Sequence, residues 1–165
     1  MNFKRNHMLR FHYVLVLVLC SLALADQRDE WQQPEKIMDA VGIKEGMVIG
    51  EAGSGSGYFT FKLSERVGES GAIYANDIDN DGLEKITEKC DEKDIKNIKT
   101  VKGEIDNPLF PAGELDMIIM MMAFHDLTKP TEWLENAEKS LKLDAPLVIV
   151  DRDPDKYGGR DNHFY

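Results

Sequence analysis

Cysteine is almost absent from this chain of 165 residues. Of two, Cys20 lies in the front segment and Cys90 stands alone behind it, so no internal disulfide is expected once that segment is gone. Long hydrophobic runs are missing too: the greasiest stretch, residues 14–25, has 12 residues, short of the ~20 that a bilayer-spanning helix needs. Basic charge is scarce. Twenty Lys and Arg stand against 30 Asp and Glu, for a formal net charge of −10, and such a surface repels phosphate backbones. Nucleic acid is therefore not an expected partner. With no H-x-x-x-H pair and no cysteine cluster, no metal is expected at His125 or His163. Internal repeats and low-complexity tracts are also lacking, and the length suits one domain.

The front end has its own pattern. Lys4, Arg5 and Arg10 precede the short apolar stretch, and Ala23-Leu24-Ala25 places small residues at minus three and minus one of a cleavage point. This predicts a secretory signal peptide over 1–25 and an exported protein, periplasmic or secreted. The alternative is an uncleaved segment that anchors the chain, which is the one membrane contact expected. Leu19, before Cys20, is not the small residue of a lipoprotein signal. Cleavage would leave a domain over 26–165 and, with three basic residues lost and no acidic ones, move the formal charge from −10 to −13. The remaining chain is long enough for a sizeable core.

Within it, apolar runs alternate with helical periodicity. "MVIGE" at 47–51, "AIYAND" at 72–77, "LDMIIMMMAF" at 115–124 and "LVIVD" at 147–151 read as buried parallel strands, with a weaker one, "IKTVKG", at 98–103. Between them Phe59, Leu63 and Val67 recur at helical spacing up to Gly68. Leu83, Ile86, Thr87 and Cys90 share one face of a second helix, and Leu134, Ala137 and Leu141 line a third opened by Pro130. A leading helix over 34–41 carries Ile37, Met38 and Val41 and stops at Gly42. Met120–Met122 and Cys90 are expected to fill core. Strand and helix in repeated succession predict an α/β fold, a doubly wound, mostly parallel, Rossmann-like sheet.

The densest signal is "VIGEAGSGSGYFTFKL" at 48–63, a strand, a glycine loop and a helix start. Open α/β sheets bind ligands at such places. A phosphate-binding P-loop needs Lys and then Ser or Thr behind the glycines; Tyr58 and Phe59 follow instead. A dinucleotide loop of form G-x-G-x-x-G would need glycine at 58, where Tyr58 stands. The third form is acidic-x-G-x-G-x-G, Glu51-Ala52-Gly53-Ser54-Gly55-Ser56-Gly57. Here the chain resembles the class I S-adenosylmethionine-dependent methyltransferases, and small exported methyltransferase-domain proteins in particular. The resemblance runs from about residue 31 to the end.

That resemblance implies S-adenosylmethionine as cofactor. A carboxylate such as Glu51 favours its sulfonium and ammonium charges, and Gly53, Gly55 and Gly57 let the main chain pass close to it. Asp77, at the carboxyl end of the next strand and 24 residues after Gly53, is placed to accept from both ribose hydroxyls, a duty shared by NAD sites. Ile78 packs on the adenine in the family pattern, and an acidic residue after the third strand, Glu104 or Asp106, approaches its amino group. Asp79, Asn80 and Asp81 are read as helix N-capping residues. His125, just past the fourth strand, faces the expected substrate mouth and is the one candidate for a catalytic side chain. Leu143-Asp144-Ala145 replaces the family's usual Pro-Gly-Gly turn. The family sheet ends in a strand hairpin, and only 14 residues follow Asp151, so a sheet without that hairpin is expected.

The function implied is methyl transfer to a small-molecule acceptor. The alternatives are a non-catalytic S-adenosylmethionine-binding module and an NAD-dependent oxidoreductase, the latter disfavoured by Tyr58. Neither the acceptor nor the oligomeric state is encoded in any of these motifs.

Overall fold

A computed structural model describes residues 27–152. The expected signal segment and the residues after Arg152, His163 among them, lie outside the described range. The chain divides into two compact units between Ala40 and Val41. In the first, residues 27–32 are helical and are followed by α1 (Pro34–Ala40). Gln33, at φ 47°, breaks the two apart, and Pro34 opens α1 where its missing N–H costs nothing.

The second unit holds a sheet of five strands: β1 (Val48–Ala52), β2 (Ala72–Asp77), β3 (Ile98–Lys102), β4 (Met117–Met121) and β5 (Leu147–Val150). Their order is β3-β2-β1-β4-β5, and every neighbouring pair is parallel. This is the Rossmann-like doubly wound arrangement. Strand order reverses direction between β1 and β4, which opens a crevice at the carboxyl ends of those two strands. The central strands are covered on both faces, as parallel strands must be: all five residues of β4 are buried. On the edge, β3 exposes Lys99, Thr100 and Lys102, polar side chains that discourage pairing with another sheet.

Three helices cover the sheet. In α2 (Tyr58–Val67) the expected stripe of Phe59, Leu63 and Val67 is buried, and the helix ends at Gly68 with φ 65°. Helix α3 (Asn80–Lys93) is capped as its sequence predicts, Asp81 N–H donating to Asp79 Oδ1 at 3.2 Å. Its face of Leu83, Ile86 and Cys90 packs with Ala75 and Phe61. Helix α4 (Pro130–Glu138) instead buries Trp133 and Ala137 in a cluster with Ala52, Ile118 and Met120, against which Tyr74 packs. Successive strand residues point to opposite faces, so Tyr74 and Ala75 assign these two clusters to opposite sides of the sheet. Burying each large aliphatic side chain contributes about 1.5–3 kcal/mol.

Two expectations need correction. The apolar run at 115–124 is longer than the strand it contains, because Met122 turns to φ 57° and a 3-10 helix follows at Phe124–Asp126. In the third helix, Leu141 lies beyond the last turn, where it bridges to Leu115, and Trp133 is the large buried anchor. Cys90 is buried as expected, and desolvation, with Asp91 beside it, pushes its thiol pKa up.

Candidate active site

At the carboxyl ends of the strands lies a cavity of about 330 Å³, at the lower end of the ~300–1,000 Å³ usual for small-molecule sites. One wall is polar: Asn76 and Asp77 from β2, and Glu104 beyond β3. Ile78 and Ile105, both more than half exposed, flank it. The opposite wall is mostly apolar, with Met120, Met122 and Ala123 from the end of β4, Leu127, and Trp133 of α4, and it also carries Asp126 and Thr128. Ala52 and Gly53 close the bottom at the switch point.

The glycine loop takes its shape from Asn76 and Asp77. The N–H groups of Gly53 and Ser54 both donate to the Asn76 carbonyl at 2.9 Å. Gly55 N–H donates to Asp77 Oδ2 at 2.8 Å, and Asp79 N–H to Asp77 Oδ1 at 2.9 Å. The Asn76 amide reaches the other way, donating to the carbonyls of Val101 and Pro108. One dipeptide thus joins the loop after β1 to the loop after β3.

Each glycine has a separate reason. Gly53, at φ 74°, would bring a Cβ to 2.3 Å from Ala123 Cβ, so only glycine lets β1 and β4 approach at the cavity floor. Gly57, at φ 91°, would drive a Cβ into Phe61 and Ile86, a requirement of helix packing. Gly55, at φ 52°, would meet no protein atom within 4 Å.

Of the residues singled out in the sequence, Gly53, Asp77, Ile78 and Glu104 meet around the cavity. Glu51 does not reach its lining; it is buried in β1, paired between Ala75 and Ile119. Gly55 and Gly57 also stand outside the lining, the first facing open space and the second packed away. Asp106 is turned from the cavity and ion-paired with Lys129 at 3.0 Å, a hydrogen bond and charge that hold its carboxyl below the usual range. His125, in the 3-10 helix, is 2.9 Å from Asp151 through Nδ1. Sequence reasoning missed Asn76, Ile105 and Trp133. The first two adjoin motif residues, Asp77 and Glu104, and this adjacency was the available signal.

The family model described as methyltransferase domain matches residues 43–157. This chain belongs to that family. The chain also resembles the solved S-adenosylmethionine-dependent methyltransferase of Aquifex aeolicus, at 33% identity, with 84% of this chain and 74% of that chain covered and a TM-score of 0.74. Among curated proteins it is similar to the ubiquinone/menaquinone biosynthesis C-methyltransferase UbiE of Citrobacter koseri, 26% identical over 115 residues. That match covers 69% of this chain and 46% of the relative, so the chain spans about half the length of the curated relatives it matches. The YcgJ protein of Bacillus subtilis shares the fold at 18% identity, with a TM-score of 0.63 over 72% of this chain and 49% of that one.

The family's cofactor is S-adenosylmethionine, and the residues present fit it. The polar wall offers carboxylates, the kind of acceptor a ribose and an amino group would need, Ile78 and Ile105 offer apolar surface that a flat base would need, and the main chain at Gly55 is bare toward open space.

Proposed function

We propose that the methyltransferase moves the methyl group of S-adenosylmethionine to a small acceptor bound against the apolar wall of the cavity. The reading is carried by the make-up of that cavity: carboxylates and bare glycine backbone on the β1–β2–β3 side, and a mostly apolar β4–α4 side of Met120, Met122, Leu127 and Trp133 that also carries Asp126 and Thr128. When bound, the cofactor supplies an already activated methyl on a sulfonium, so the chain's own part is mainly to position and to arrange charge. Asp77 would hold the ribose, Ile78 and Ile105 the adenine faces, and Glu104, rather than Asp106, the adenine amino group. The relatives named for ubiquinone and menaquinone biosynthesis methylate carbon, and the apolar wall suits an acceptor with an apolar ring.

Isothermal calorimetry of the full chain with S-adenosylmethionine, S-adenosylhomocysteine and NAD tests the cofactor. Binding of the first two and not the third is expected; NAD alone binding would overturn the reading. We further propose export by the signal at 1–25. An N-terminus at Asp26 in the exported fraction, read by mass spectrometry, is the expected result, and a wholly cytosolic protein would end that proposal.

A further inference from the structure

His125 and Asp151 come from different strands. His125 follows β4 by four residues and Asp151 follows β5 directly; the two strands are parallel neighbours, and Met122 N–H to Val150 O at 2.7 Å carries their pairing one residue beyond β4. Three contacts join the pair. His125 N–H donates to Asp151 Oδ2 at 3.1 Å, and His125 Nδ1 lies 2.9 and 3.0 Å from the two carboxylate oxygens. An ionised carboxylate only accepts, so Nδ1 carries the proton and, in the neutral ring, Nε2 presents a lone pair. Burial alone would raise the Asp151 pKa, but the bonds from His125 and from the Arg152 N–H outweigh it and hold the carboxyl below its usual range.

The pair is largely shielded, with side chains 13% and 16% exposed. Nε2 lies 3.6 Å from Asp126 Oδ2, beyond hydrogen-bond reach, and Asp126 itself lines the cavity. His125 is not itself among the lining residues; its Nε2 stands beside Asp126, which is. Asp151 and Asp126 are the titratable groups seen to face the ring, from the end of β5 and from its own turn.

We propose that His125, oriented by Asp151, is the general base that takes a proton from the acceptor, which is therefore a compound whose nucleophilic atom carries hydrogen. The proposal rests on the methyl-transfer reading above. In the step, the proton on the acceptor atom passes to Nε2. The pair it leaves forms the bond to the methyl carbon, and the electrons of the broken carbon–sulfur bond stay on sulfur. The resulting imidazolium sits against the Asp151 carboxylate, which is the positioning residue. A purely structural tie between β4 and β5 would require neither the Nε2 lone pair nor any dependence on the acceptor's proton.

The experiment uses the full chain and the variants His125→Gln and Asp151→Asn. S-adenosylhomocysteine calorimetry comes first: failure to bind in the unmodified protein rejects the cofactor reading, whatever the dyad does. Nitrogen-15 NMR of the imidazoles at pH 8, assigned by loss of the His125 signals in His125→Gln, is expected to show Nδ1 protonated and Nε2 bare. Labelled methyl transfer is then followed to catechol, hydroquinone and 2-mercaptoethanol, all protic. Transfer to at least one is expected, lowered about 100-fold or more in His125→Gln with S-adenosylhomocysteine affinity kept. Asp151→Asn should lower it as well and disturb the tautomer. A protonated Nε2 overturns the proposal, as does undiminished transfer in His125→Gln. So does a protein that binds S-adenosylhomocysteine and methylates none of the three probes.

Discussion

Asp77 Oδ2 accepts the Gly55 N–H at 2.8 Å, so the carboxylate at the end of β2 shapes the glycine loop that follows β1. Its other oxygen holds Asp79 N–H at the entry to α3. Asp77 is thus a structural member of the loop as well as a wall of the cavity, and its removal acts on both. Asp77→Ala is expected to weaken S-adenosylhomocysteine by roughly tenfold or more, since hydrogen bonds to charged groups contribute about 1.5–3 kcal/mol each. It should also lower the melting temperature without ligand. Calorimetry and a melt on the same sample check this, and unchanged affinity in a folded variant would remove Asp77 from the site.

Gly53 and Gly55 should fail differently. A Cβ on Gly53 meets Ala123 at 2.3 Å, so Gly53→Ala is expected to destabilise the ligand-free protein strongly. A Cβ on Gly55 meets no protein atom within 4 Å, and its left-handed backbone costs a non-glycine residue about 1–2 kcal/mol, somewhat more when it is β-branched. Gly55→Val should therefore stay folded and lose the cofactor. Denaturation curves beside S-adenosylhomocysteine titrations separate the two, and normal binding by a stable Gly55→Val would contradict the assignment of that open space to ligand.

Glu104 and Asp106 provide a paired test. Glu104 lines the cavity and Asp106 pairs with Lys129 outside its lining. Glu104→Gln is expected to weaken S-adenosylhomocysteine several-fold, about 1 kcal/mol for one altered hydrogen bond, and Asp106→Asn to leave it unaltered. The opposite ranking would exchange their roles.

Acid should expose Asp116. Burial works to raise its pKa, but bonds from Lys142 Nζ at 2.7 Å and Val48 N–H at 2.8 Å prevail and lower it. A group whose folded pKa is depressed stabilises above its unfolded value, near 3.9, and that contribution disappears as pH falls through the folded value. Urea denaturation between pH 7 and pH 3 is expected to show wild type above Asp116→Asn at neutral pH, the gap closing in acid. A gap independent of pH would mean the carboxylate's charge is not what matters.

The sequence by itself determined the strands, the helices and the glycine loop, because each depends on local pattern. Period-free apolar runs mark buried parallel strands, Phe59, Leu63 and Val67 recur at a helix's spacing, and Asp79 caps α3 through its own neighbours. That Gly53, Asp77 and Ile78 would share one end of the sheet was legible for the same reason, since βα loops bring the carboxyl ends of parallel strands together whatever the rest does, whereas the choice between Glu104 and Asp106 stayed open. What only the tertiary structure decided is which side chains meet across the sheet. Nothing local says that Gly53 must be bare for Ala123, 70 residues on, or that Asp106 belongs to Lys129. Nor could spacing reveal that Asp151 meets His125, since that contact exists only because β5 lies beside β4. Strand order is a long-range packing outcome, and these partnerships follow from it.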